Sequence, residues 1–578
     1  MTNGTVTSSW TYSSLGEETS YTNGAAAEVE YGYDLAGNQT SITYPNGDLV
    51  VQVFNDANEV SSITDWNGNE SSFSYDANGN LTAEDLANGV TNSYTYDPAN
   101  NLASISDTKG ETSIFSATYT RNADSLVSED SSQPSDSSKY QYTGLSQVCY
   151  AASSNGSDCS SPPDGATSYS YDASGNLTDD DGTQQEFNDG DELCWSVSGT
   201  SDGGCDTAPS GATTYTYDDN GNLTAITPAS ASAASLDYNA ADELSGYQLG
   251  SGAVISYAYD GDGLRVSETT SDTTTQFTWN DSGPLPLLIQ KTTGSDTTSY
   301  IDGPSGLPLE EINPDGDTYY YSQDNLGSTR ALTNSSGDLA DTDTYDSYGN
   351  VTASTGSVAD AMLFSGQYMD TESGLYYLLA RYYDPSTGQF LSVDPLVQDT
   401  QMPYAYASGD PINGIDPSGN DVTRAEMCEK LTTLACGRQP EVTWGSISVG
   451  LCGSALGVVR LVGGFLTICP IVLRFQDGNL AGVGSTETVG GGIGQGGAIA
   501  GTVGLSVADP SRISDLGNFF IYAEGAAGAG PTAAFSRAQG RETCGTRVDV
   551  WSAGVGTGAG LSYLAGGSWT FTQTWWGS

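Results

Sequence analysis

Pairs of aromatic residues two apart, each followed by a polar turn and a returning apolar residue, recur along this chain. Three copies read Phe73-Ser-Tyr75-Asp76-Ala-Asn-Gly79-Asn80-Leu81, Tyr169-Ser-Tyr171-Asp172-Ala-Ser-Gly175-Asn176-Leu177 and Tyr215-Thr-Tyr217-Asp218-Asp-Asn-Gly221-Asn222-Leu223. A spacing of two puts both rings on one face of a strand, because strand side chains alternate. The Asp bonds its own backbone, the Gly takes a positive φ, and the Leu opens the return strand. The step is fixed: Tyr12, Tyr33, Phe54, Tyr75 and Tyr96 stand 21 residues apart, and Tyr217, Tyr238 and Tyr259 resume the interval. A second turn, such as Pro45-Asn46-Gly47 or Ala87-Asn88-Gly89, closes each unit. Each repeat therefore predicts two short strands, and the array an antiparallel meander of roughly 35 to 40 strands whose units bury their apolar face by stacking.

The Asp-x-x-Gly-Asn turn also invites a calcium-loop reading. An EF-hand places Gly sixth and Glu twelfth, whereas Gly79 is fourth counting from Asp76. We read a turn with no metal, and no cofactor is expected elsewhere.

Composition narrows the chemistry. The 578 residues include no histidine, which removes Ser-His-Asp and Cys-His catalysis, histidine-ligated zinc and imidazole switches. A net charge of −56 opposes nucleic acid or anionic lipid as a partner of the repeat region. The charge is uneven: before residue 421 the only bases are Lys109, Arg121, Lys139, Arg265, Lys291, Arg330 and Arg381, against 61 acids, while residues 421–578 hold 11 acids and 9 bases. Glycine shifts too, with 31 of 72 in those last 158 residues. Both breaks set a domain boundary at Asn420.

Cys149 and Cys159 flank one loop and Cys194 and Cys205 another, each ahead of a copied stretch, Pro163-Asp-Gly165-Ala-Thr-Ser-Tyr169 and Pro209-Ser-Gly211-Ala-Thr-Thr-Tyr215. Two local disulfides are expected, each contributing about 2–3 kcal/mol, and with them an oxidising setting, so a secreted or cell-surface protein. Cys428, Cys436, Cys452, Cys469 and Cys544 form an odd set whose pairing the sequence leaves open. No secretory signal opens the chain and Tyr12 is already in register; the expectation is that the sequence starts inside a longer gene product.

Between Tyr300 and Asn420 the text becomes denser: Tyr319-Tyr-Tyr-Ser-Gln-Asp324-Asn-Leu326-Gly327, Phe364-Ser-Gly366-Gln367-Tyr368, Gly374-Leu-Tyr376-Tyr377-Leu-Leu-Ala380-Arg381-Tyr382-Tyr383-Asp384-Pro385, Gly388-Gln-Phe390-Leu-Ser-Val-Asp394-Pro395 and Asp416-Pro417-Ser-Gly419. This resembles the RHS repeat-associated core that ends the YD-repeat array of RHS proteins, which are bacterial polymorphic toxins and distantly similar to teneurins. The resemblance implies an all-β fold. Residues 1–299 would wind as a spiralling antiparallel YD-repeat sheet forming a partial shell, residues 300–420 would be the core that plugs it, and residues 421–578 would be a variable C-terminal domain.

The resemblance also implies self-cleavage by aspartates in two Asp-Pro-x-Gly motifs 18 residues apart. Here they read Asp394-Pro395-Leu396-Val397 and Asp416-Pro417-Ser418-Gly419. Two adjacent carboxyls can divide the roles of acid and base. Asp394 and Asp416 are the candidate catalytic residues, and the bond after Asn420 the candidate scissile bond. Val397 replaces the motif Gly, and Asn420 replaces an apolar residue usual before the cut. The alternative is that both Asp-Pro turns only shape the plug.

The C-terminal residues carry less information. Gly450 to Leu473 is apolar except for Arg460; a central Arg and the glycines favour buried strands over a membrane span, which stays open as the other reading. Alternating stretches such as Arg547-Val-Asp-Val-Trp551 read as Gly-rich β-hairpins. Arg537, Arg541 and Arg547 are an anion-site candidate or a solvated rim. No nucleophile stands beside a base. The functional expectation is a shell carrying a C-terminal effector in contact-dependent antagonism between bacteria, with an immunity protein as partner. The alternative is a non-toxic adhesion protein contacting carbohydrate or a cell surface.

Overall fold

The computed structural model describes residues 2–420, apart from 4–5, 134–136, 157 and 272, together with the later strands Thr423–Arg424, Gly463–Arg474, Leu480–Gly492, Ala500–Gly504, Gly530–Arg541, Arg547–Gly558 and Ser568–Thr574. It divides into two compact units, Met1–Arg438 and Gln439–Ser578.

The first unit is one sheet of 32 consecutive strands, from Ser9–Tyr12 to Val351–Gly356, each antiparallel to the next. No register joins its first strand to its last, so the sheet is open. The count falls short of the expected one because the meander ends at Gly356 and the residues that follow fold as a separate small sheet and loops. The meander also outlasts the aromatic period. It continues past Trp279 to Gly356 because turn residues such as Gly316, Gly337 and Gly349 keep the positive φ that closes each hairpin.

Each repeat carries a bulge at its second aromatic. The register slips between Thr95 and Tyr96, between Ser170 and Tyr171 and between Ala258 and Tyr259, and the extra residue re-aims the second ring. The two aromatics are thus not equivalent. Phe73 and Tyr169 are buried, while Tyr75 and Tyr171 are half-buried; at Tyr257 and Tyr259 both rings are buried. The hydroxyl of Tyr75 donates to Val60, that of Tyr96 to Leu81 and that of Tyr142 to Val127, each to a backbone carbonyl in the preceding repeat at 2.8, 2.8 and 2.6 Å. Tyr12, on the first strand of the sheet, is 60% exposed.

The turns need no ion. Asp76 Oδ1 accepts the amides of Asn78 and Asn80 at 2.8 and 3.0 Å, and its Oδ2 accepts the Asn80 side chain at 2.9 Å. Neighbouring turns are linked as well: Asn80 Nδ2 donates to Asn100 Oδ1 at 2.6 Å.

The sheet winds back on itself after about 250 residues. Ser8 bonds Asp260, the Tyr44 hydroxyl donates to the Tyr300 carbonyl at 2.6 Å, and Asn88 bonds Thr333 at 2.9 Å. Ile42, Val50 and Ile63 of the first turn share a core with Ile301, Leu309 and Ile312 of the second. Inside sits the plug, a small sheet of Tyr368–Asp370, Leu375–Leu378, Arg381–Asp384 and Gln389–Phe390 followed by loops. Its rings pack together, with Tyr383 and Tyr406 stacked at 4.3 Å. It is tied to the wall by Tyr404 to the Gly221 carbonyl (2.8 Å) and by Asn413 to the amide of Val127 (2.8 Å).

Cys149–Cys159 and Cys194–Cys205 are both disulfides, as expected. In the second unit, Gly463–Arg474, Leu480–Gly492 and Ser568–Thr574 form one antiparallel sheet, and Ala500–Gly504, Arg547–Gly558 and Gly530–Arg541 another. The described parts of the Gly-rich stretches are strands there, and Gly463–Arg474 takes in the end of the Gly450–Leu473 segment, whose residues 450–462 lie outside the described residues. Cys428, Cys436, Cys452, Cys544 and Arg460 lie outside the described residues, as do the side chains of Cys469, Arg537, Arg541 and Arg547.

Candidate functional site

The two aspartates singled out by their motifs meet on one arginine. Arg381 opens a plug strand just after a two-residue turn, in which Leu379 takes a positive φ of 56°. Its Nη2 lies 3.2 Å from Asp416 Oδ2 and 3.8 Å from Asp394 Oδ2. Its guanidinium carbon sits 3.5 Å from the centre of the Phe390 ring, and its Nε donates to the carbonyl of Gly419. All three charged side chains are buried. Burial pulls the Arg381 guanidinium down, and Asp416 and then Asp394 pull it back up.

Each carboxylate also has fixed local donors. Asp394 Oδ1 takes the amide of Leu396 at 2.6 Å and its Oδ2 the Thr400 hydroxyl at 2.8 Å. Asp416 Oδ1 accepts the amide of Asn420 at 3.0 Å. The Gly419–Asn420 peptide is therefore held at both ends, its carbonyl by Arg381 and its N–H by Asp416. The candidate bond after Asn420 is the next one, and its second residue, Asp421, lies outside the described residues.

Local geometry accounts for one departure from the motif. Gly419 has φ +67°, and an added Cβ would strike the Leu378 carbonyl and come within 2.9 Å of the Arg381 amide. At the matching place in the first motif Val397 begins the short helix Val397–Thr400, a conformation that any residue adopts.

Arg381 itself was missed in reading the sequence, although it is one of seven bases before residue 421 and interrupts an apolar aromatic run. Arg265, another of the seven, is fully buried and donates from Nη1 to both oxygens of Asp370 at 2.9 and 2.7 Å, with the rings of Phe277, Tyr377 and Tyr368 within 5 Å of its guanidinium carbon. Among the described residues no group of three His, Cys, Asp or Glu side chains could hold a metal ion. No helix among them is long and apolar enough to cross a membrane, which says nothing of strands.

With this geometry in view, the likeness to known proteins is specific. The RHS Repeat profile matches residues 12–49, 54–91 and 75–112. The chain is 35% identical over 173 residues to the tRNA3(Ser)-specific nuclease WapA of Bacillus spizizenii, covering 28% of this chain and 7% of that protein. It is 38% identical over 101 residues to the toxin protein Tse5 of Pseudomonas aeruginosa, covering 17% and 8%. The match thus spans less than a tenth of either relative. Among solved structures, the TcdB2-TccC3-TEV crystal structure superposes with a TM-score of 0.57 at 18% identity over 71% of this chain and 23% of that one, a likeness of fold. The chain thus carries RHS repeats and is similar to RHS/YD-repeat proteins of the polymorphic-toxin type.

Proposed function

We propose that the chain is a carrier. The sheet that ends at Gly356 is the wall, the segment from there to Asn420 is the plug, and residues 421–578 are an effector delivered in contact-dependent antagonism between bacteria. Release is self-cleavage after Asn420. Water adds to the Asn420 carbonyl carbon while one of Asp394 and Asp416 takes its proton. The other gives a proton to the leaving amide nitrogen, and the carbon–nitrogen bond breaks. Arg381 positions both carboxylates.

The observation that carries this reading is the grip of Arg381 and Asp416 on the Gly419–Asn420 peptide at the boundary where charge and glycine content change. Two disulfides suit a secreted or surface-exposed protein. An immunity protein encoded by the neighbouring downstream gene is the proposed partner. Expressing residues 421–578 in a bacterium, with and without that gene, tests the effector: growth arrest relieved by the gene supports it, and indifference in several hosts favours an adhesion role.

A further inference from the structure

Two buried carboxylates, with no cation beside them among the described residues, lie where the first turn of the spiral meets the second. Strands Leu81–Asp85, Thr91–Tyr96 and Leu102–Lys109 set Glu84, Asn92 and Asp107 directly opposite one another in a cross-strand row, so the three side chains share a face. Strand Thr318–Gln323 covers the row. Asn92 Nδ2 donates to the Tyr321 carbonyl at 3.4 Å and to Glu84 Oε2 at 3.1 Å, and the Ser322 hydroxyl and the Glu84 carboxylate both face Asp107. Glu84, Asn92, Asp107 and Ser322 are 8, 1, 0 and 1% exposed.

The unmet bonding here is all of one kind. Among the described residues, Asp107 Oδ1 and Oδ2, Asn92 Oδ1 and Ser322 Oγ have no hydrogen-bond partner of good geometry, the Ser322 hydroxyl facing Asp107 closely enough only to offset part of the effect of burial on its carboxyl. Every one of these atoms is an oxygen, and two belong to side chains that are not acidic. The nearest base in sequence does not help: Lys109, two residues beyond Asp107, sends its ammonium to the Asn88 carbonyl instead. Neither Glu84 nor Asp107 makes an ion pair among the described residues.

A buried carboxylate with both oxygens unpaired is strongly disfavoured unless a counter-ion or a proton neutralises it. An oxygen-only set of carboxylate, amide and hydroxyl suits a hard cation. Calcium accepts irregular oxygen cages and bidentate carboxylates, whereas magnesium demands an octahedron and keeps its waters, for which a dry seam is poor. We infer that Glu84, Asn92, Asp107 and Ser322 form a calcium site that pins the first turn of the shell to the second.

The full chain should keep one equivalent of calcium through gel filtration into metal-free buffer, and chelation should lower its Tm. Terbium, a calcium stand-in, should show tyrosine-sensitised emission through Tyr94 and Tyr321. That emission should fall about tenfold or more in Asp107→Asn and measurably in Ser322→Ala. Ser322→Ala keeps the test open if Asp107→Asn does not fold. A wild-type chain with no retained calcium and a Tm indifferent to chelator would overturn the site and leave a proton as the neutralising group. Terbium emission equal in wild type and Ser322→Ala would overturn the assignment of these ligands.

Discussion

The hydroxyl of Tyr75 donates to the carbonyl of Val60, fifteen residues upstream, at 2.8 Å, and the same bond recurs from Tyr96 to Leu81 and from Tyr259 to Leu244. The repeat is therefore stitched to its predecessor by its second aromatic, which is why that position favours tyrosine. Tyr75→Phe keeps the ring and removes one hydrogen bond, and should cost about 1 kcal/mol in denaturant unfolding. Tyr75→Phe and Tyr259→Phe sit on distant repeats and should add.

The close approach of wall and plug at Gly221 sets a second expectation. Its φ is +83°, and an added Cβ would lie 2.6 Å from both the Tyr404 hydroxyl and a methyl of Val393. Gly47 has a similar φ of +89° with nothing within 4 Å. Gly47→Ala should cost about 1–2 kcal/mol of backbone strain, and Gly221→Ala about 1–3 kcal/mol more because the plug must shift. Equal losses in thermal unfolding would mean that the plug does not seat on this turn.

Arg265 and Asp370 tie the wall to the plug as a fully buried pair. Asp370→Leu leaves the guanidinium without its partner and should destabilise by about 3–5 kcal/mol, while Arg265→Met with Asp370→Leu should recover much of that loss. A double-mutant cycle in denaturant gives the coupling directly.

Stability should fall as pH rises. Burial pushes Asp302 and Glu310 up to about 8, and Asp180 up to about 7, the last with help from Asp346. When unfolded these groups titrate near 3.8 or 4.5. Between those values and the folded ones, the folded chain holds protons that the unfolded chain releases. Their contribution is therefore complete below about pH 4 and is lost as pH rises through about 8. Asp76 opposes this only at the acid end, where hydrogen bonds, first from the Asn80 side chain, lower it. Tm should be higher near pH 5 than near pH 9, and Asp302→Asn should flatten the slope.

The wall was legible because its signals are local. An aromatic pair, an Asp and a Gly at fixed offsets specify a hairpin without reference to the rest of the chain. The bulge at the second aromatic was not legible, since it depends on register. Nor was the return of the sheet: nothing in the text around Tyr44 announces a bond to the carbonyl of Tyr300. At the candidate site the motifs located Asp394 and Asp416, but the group joining them comes from a different strand. Arg381 could have been suspected from its rarity, as a lone base among Tyr376, Tyr377, Tyr382 and Tyr383. The continuation of the sheet beyond Trp279 was hidden for the opposite reason, because strand alternation persists where the aromatic period stops.

The intact mass of the purified full-length chain tests the carrier reading most directly. Two fragments meeting at Asn420, still associated until denatured, are expected, and a single uncut chain in the Asp416→Asn variant. A wild-type preparation that is wholly one 60.0 kDa species, or cutting at Asn420 that persists in Asp416→Asn, would contradict it.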